Sequence, residues 1–209
     1  MAALVGEPHL SLTVSDRPTL WAYLPYTSSD ASHAEVILQT ESSDQEIYRG
    51  FFPLSDALGV TGIRFPMSMP ALEVGETYRW YIDVACSPGT RAPETRAPQT
   101  GITESSTYTP LATPATLTGV VERVVPSPEL TQALNIATTP VETLAVYGDY
   151  HLWYDLLNDV ASRRLSAADS QFEQLWIDLL SDEAGANLGT YSEAPLVGKV
   201  TAQDASNSL

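Results

Sequence analysis

Few residues in this chain have the types and spacing that chemistry needs. The histidines are His9, His33 and His151, on separate segments and without an H-x-x-x-H or H-E-x-x-H pair. A metal site would need distant segments to bring together three or four ligands. Cys86 could pair with a distant histidine as a nucleophile. It alternates with Trp80 and Val84, however, so it is expected to face inward, where a thiol is inert. Asp155 and Asp159 stand four residues apart on a helical pattern and read as a solvated acidic face. Two carboxylates that hydrolyse a glycoside must instead flank a cleft about 5–10 Å apart. No G-x-S-x-G, Walker or dinucleotide fingerprint occurs. The expectation is a noncatalytic protein with no catalytic residue, no metal and no cofactor.

Aromatic side chains are the stronger lead. Tyr147, Tyr150, His151, Trp153 and Tyr154 crowd one segment, followed by Arg163 and Arg164. Tyr, Trp and Arg are enriched where proteins meet. The bland reading is that these rings fasten helices to a sheet, since large aromatics also dominate cores. Tyr23, Tyr26 and Tyr81 fall on the outward side of strand patterns and form a second candidate surface. An exposed aromatic row on a sandwich can stack on sugars, an analogy with a fold class only. The candidate interaction residues are therefore Tyr23, Tyr26, Tyr81, Tyr150, Trp153, Arg163 and Arg164.

Charge narrows the partners. Acidic residues number 26 against 10 basic, a formal charge of −16, and Lys199 is the lone lysine. Such a surface repels phosphate backbones and anionic lipid heads, so nucleic acid and membrane surfaces are poor partners. No apolar run approaches the roughly 18 residues of a membrane helix. Met1–Val5 lacks the basic and apolar regions of a signal peptide. That leaves a cytosolic protein or one whose leader is not in this sequence. Cys86 is either a small buried hydrophobe or half of a disulfide whose partner lies upstream.

The elements that must position these residues are strands first. In Leu72–Cys86 a turn becomes a strand, with Tyr78, Trp80, Ile82, Val84 and Cys86 on one face. That period of two marks a half-buried strand. The lead-in Leu72-x-x-Gly75-x-x-Tyr78 looks like a tyrosine corner, which predicts a bond from Tyr78 back to the turn. Other strands are expected at 9–14, 19–24, 35–40, 46–52, 60–65 and 117–125, with Glu41–Asp44 as a hairpin connection. Seven such strands predict an immunoglobulin- or fibronectin-like antiparallel β-sandwich over residues 1–125, in a mainly β chain with α. The Pro- and Thr-rich stretch Ser87–Thr116, with its duplication Thr90–Glu94 and Thr95–Gln99, reads as an exposed inserted loop.

Residues 126–188 change character and predict a small helical unit packed on the sandwich. Ser127-Pro128 and the box Thr139-Pro140-Val141-Glu142 are helix starts. A second stretch resumes after Gly148-Asp149 with Trp153, Leu156, Leu157 and Val160. A third, after Ser166–Asp169, carries the stripe Phe172, Leu175, Trp176, Leu179 and Leu180. Residues 189–209 hold few large apolar groups and read as a flexible tail.

Taken in order, certain motifs resemble a known family. They are Arg17-Pro18-Thr19 with Trp21–Tyr26, Ile47-Tyr48-Arg49, Leu72–Gly75 with Tyr78–Tyr81, Val121–Val124, Trp153-Tyr154-Asp155, and Trp176 with Leu179-Leu180. Together they resemble the cyanobacterial domain of unknown function 928, over roughly Ala2 to Leu188. The resemblance brings no catalytic residues. It implies an exported, extracytoplasmic protein in which Cys86 normally pairs with an upstream cysteine. This chain departs from the pattern in lacking that cysteine and in carrying the long 87–116 insertion.

The expected function is that of an exported, noncatalytic interaction or structural module that binds protein, itself included. Strand 9–14 would pair with a neighbour's sheet edge. The alternative is a carbohydrate-binding module of the cell envelope or extracellular matrix.

Overall fold

Alternation in the Tyr78 run is that of an interior strand, with Tyr78, Trp80, Ile82 and Val84 buried and the residues between them half-buried. The computed structural model describes residues 1–6, 11–84, 115–166, 170–181 and 188–205. Its strands are β1 (Ala2–Ala3), β2 (Leu12–Thr13), β3 (Leu20–Leu24), β4 (His33–Thr40), β5 (Glu46–Pro53), β6 (Gly59–Arg64), β7 (Thr77–Val84), β8 (Ala115–Arg123), β9 (Leu196–Thr201) and β10 (Gln203–Asp204). They form two sheets, ordered β10-β5-β4-β7-β8-β2 and β1-β3-β6-β9. Leu20, Leu24 and Ile63 of the smaller sheet share one buried core with Val36, Leu38, Trp80 and Ile82 of the larger. The sandwich expected from the strand pattern is therefore present.

Three expectations need correction. The sheets are mixed, because β2 runs parallel to β8 and β6 runs parallel to β9. A parallel partner leaves no hairpin turn in the sequence to announce it. Residues 189–205 are not a loose tail. They form a 3-10 turn at Gly189–Tyr191, then β9 on the smaller sheet and β10 on the larger, with Ala202 buried at the crossing. The sandwich is thus completed by residues beyond the helices rather than closed at 125. The third correction concerns the first strand. Leu12 and Thr13 pair with β8, Ser11 bridges to Leu152 on the other side, and the Val14 N–H goes to Asp155. Much of that backbone is engaged within its own chain, and on the side away from β8 the α3 segment lies against Ser11 and Val14. Residues 9 and 10, Cys86, and positions 87–114 of the insertion lie outside the described residues, while Ala115 and Thr116 already belong to β8.

Local chemistry explains the starts and corners. The Glu73 N–H donates to the Tyr78 hydroxyl at 2.9 Å, the back-bond expected of the corner, and Gly75 takes the positive φ of 78° that the turn requires. Helix α1 (Pro128–Ile136) is capped by Ser127, which accepts from Leu130 N–H. Helix α2 (Pro140–Asp149) carries the full capping box between Thr139 and Glu142. His151, at φ 58°, turns the chain into α3 (Trp153–Ser166), and α4 (Ser170–Leu180) follows.

Candidate functional site

The residues picked out from the sequence do not converge. Trp153 is a core residue, 3% exposed, and its indole N–H donates to the Leu4 carbonyl of the N-terminal segment. Tyr154 is equally buried. It accepts from the Trp80 indole N–H and donates to the Val120 carbonyl. Arg163 pairs with Asp159 at 2.9 Å and lies over the Phe172 ring. Arg164 pairs with Glu173 and lies over the Trp176 ring. Both arginines therefore tie α3 to α4. Tyr150 is half-buried and caps α2, its N–H reaching Val146 O. This cluster fastens helices to the sandwich and to each other.

The tyrosine row is divided. Tyr23 is on β3 of the smaller sheet, while Tyr81 is on the outer face of the larger one, where its hydroxyl accepts from Gln39 Nε2 at 3.0 Å. Tyr26 follows β3 and packs against the core. No single sugar chain can lie across Tyr23 and Tyr81 together. His33 opens β4 and His151 joins α2 to α3. Among the described residues no group of three or more His, Cys, Asp or Glu is placed to hold a metal. Asp155 is not part of a solvated face. Its carboxylate accepts the Val14 N–H at 3.0 Å, and burial pushes its carboxyl above the usual range while bonds from Val14 and Thr13 pull it back.

The family model described as Domain of Unknown Function (DUF928) matches residues 1–196. The chain belongs to that family. No curated protein and no solved structure matches it. What this DUF928 chain presents is best read from its surface. A cleft of about 370 Å³ lies beside β3, lined by Tyr23, Leu58, Thr190, Tyr191, Ala194 and Pro195. The Tyr23 and Tyr191 rings sit 5.1 Å apart, tilted by 35°. Leu58 on its rim is 48% exposed. A second cleft, of about 530 Å³, opens at the end of the larger sheet between His33, Phe51, Pro53 and Gln203.

Lys199 is a further feature of this DUF928 chain that sequence reasoning missed. Trp21, Gly62 and Lys199 stand side by side across β3, β6 and β9. The Lys199 ammonium lies 5.6 Å from the Trp21 ring centroid and donates to Asn158 Oδ1 at 2.8 Å and to Ser162 Oγ at 2.6 Å. The chain's lone lysine thus pins α3 onto the smaller sheet. Burial pushes its pKa down, and the like charge of Arg64 adds to that. Tyr191 and Lys199 were missed for one reason: both belong to the segment that reads as a tail.

Proposed function

We propose that this DUF928 chain is an exported, noncatalytic interaction module that binds protein, with a second copy of itself as the partner. The observation that supports this reading is the apolar cleft formed by Tyr23, Tyr191, Leu58, Ala194 and Pro195. Half-buried rings with exposed Leu58 and Pro195 around a recess are the kind of surface that anchors a protein partner. The export context rests on the resemblance to the cyanobacterial family. Light scattering over a concentration series tests the reading. A molar mass rising above 22.6 kDa with concentration is expected, and Leu58→Asp should hold the chain at the monomer mass. A constant monomer mass in the native chain would reject self-association.

The ring pair favours a second reading, a carbohydrate-binding module, because two tyrosines can stack on a sugar face. Against it, among the described residues of that lining Thr190 alone joins the phenols in carrying a hydrogen-bonding side chain. Sugar sites need several such groups, and a peptide side chain does not. A glycan array signal lost in Tyr191→Ala would reverse this preference.

A further inference from the structure

We infer that the second cleft, between His33 and Gln203, binds a cationic peptide segment of another protein that carries arginine and proline. This surface is separate from the Tyr23–Tyr191 patch, so the two assignments stand or fall independently.

The shape of the cleft comes first. Ser32, His33, Phe51, Phe52, Pro53 and Gln203 enclose about 530 Å³ of open recess. His33 stands edge-on to Phe51 at 5.2 Å and 86°, and its Nδ1 is 2.8 Å from Ser32 Oγ. Two rings set at right angles beside a proline make a rigid, largely apolar wall. Proline-rich segments, already extended, dock in aromatic-lined grooves at little entropic cost. A guanidinium also stacks on aromatic faces.

Charge selects the cationic partner. Glu35 lies beside Phe51 in the sheet register, and Asp83 lies beside Glu35 on the same outer face. The loops that deliver Ser32 and Pro53 to the cleft carry Asp30 and Asp56. Asp30 is held by Thr27 and Asp56 by Ser28, both neutral donors, and among the described residues neither forms an ion pair. Arg49 on β5 is shared between Glu35 and Glu46. With a formal charge of −16 over the whole chain, the positive charge must come from the partner. The same charge opposes a nucleic acid or an anionic membrane.

The test is a titration of the full chain into a fluorescein-labelled decapeptide of alternating arginine and proline, read by fluorescence anisotropy. Saturable binding is expected, weakening at least tenfold between about 20 mM and about 500 mM salt as screening grows. Phe51→Ala should weaken it at least tenfold. Asp30→Asn with Asp56→Asn keeps the acceptors for Thr27 and Ser28 while removing two charges, and should weaken binding at low salt only. Met67→Ser, at an exposed position, should leave it unchanged, and circular dichroism of each variant checks the fold. No binding, or binding indifferent to Phe51→Ala, would overturn the assignment. So would a molar mass that grows with concentration and is abolished by Phe51→Ala, since the occupant would then be a second copy.

Discussion

Trp80 donates its indole N–H to the Tyr154 hydroxyl at 2.9 Å, across 74 positions of sequence, and Tyr154 donates its own O–H to the Val120 carbonyl at 2.7 Å. This two-bond chain fixes the start of α3 against β7 and β8. Burial pushes the Tyr154 phenol well above its ordinary pKa, so it remains a donor at every working pH.

Tyr154→Phe should therefore be costly although the ring is kept. The Trp80 N–H loses its acceptor and the Val120 carbonyl loses a donor, where no water replaces either cheaply. A buried group left unsatisfied costs about 1–3 kcal/mol, so a loss of about 2 kcal/mol is expected. For a chain of this size that lowers the melting temperature by about 4–8 °C. A loss under about 0.5 kcal/mol in urea unfolding would show that the pair does not anchor α3.

Two glycines should respond with opposite signs to alanine. A Cβ on Gly119 would stand 2.3 Å from Trp80 Cζ2 and 2.8 Å from Val5 Cγ1, between side chains packed on both sides. Gly119→Ala should cost about 3 kcal/mol and shift Trp80 fluorescence. A Cβ on Gly148, in α2, meets nothing within 4 Å. Gly148→Ala should stabilise by about 0.5 kcal/mol, through helix propensity and a less free unfolded chain. Equal effects at the two sites would contradict the packing described around Trp80.

The features that the sequence disclosed are those whose partners lie nearby. Tyr78 and Glu73 are five residues apart, and Thr139 and Glu142 are three apart, so the corner and the capping box were legible. The β9 strand pairs with β6, far back in the chain, and its Leu-Val-Gly-Lys-Val-Thr run alternates too weakly to declare a strand alone. The aromatic segment around Trp153 was ambiguous for a different reason. Tyr and Trp serve cores and interfaces alike, and only the distant acceptor at Leu4 decides between them. Asp155 looked solvated because the groups it bonds, at Thr13 and Val14, sit on a strand that sequence spacing cannot bring to α3. The clefts were not legible at all, since each draws its walls from segments far apart in the chain.

Asp155 should leave a signature in the pH dependence of stability. Burial raises its carboxyl above the ordinary value in the folded state. The folded chain then holds that proton more tightly than the unfolded chain does. Its contribution to stability falls as pH rises from the ordinary carboxylate range through the folded pKa, and is constant above. Asp155→Asn keeps an acceptor for Val14 and removes this slope. The variant should match or exceed the native chain at pH 7 and lose that advantage as pH falls toward about 4. Glu46, Glu129 and Glu142 are shifted the other way and destabilise on acidification, but they cancel in the comparison of the two proteins. A difference that does not vary with pH would contradict the buried placement of Asp155.

Lys199 offers the cleanest measurement, because it is the lone lysine. After reductive ¹³C-methylation only its Nζ and the amino terminus give signals, so its titration can be followed directly. Burial and Arg64 place its pKa below the ordinary lysine value. The unfolded chain takes up that proton more readily, so stability should rise with pH between the folded pKa and about 10.4, then level off. Two substitutions separate the parts of the clamp. Lys199→Met keeps an apolar stem over Trp21 but loses the bonds to Asn158 and Ser162, and should cost about 1 kcal/mol. Lys199→Ala also removes the stem and should cost about 2 kcal/mol. The larger loss in the alanine variant would show that the Trp21 contact, and not the ammonium alone, holds β9 and α3 together. Equal losses would assign the clamp to the two hydrogen bonds.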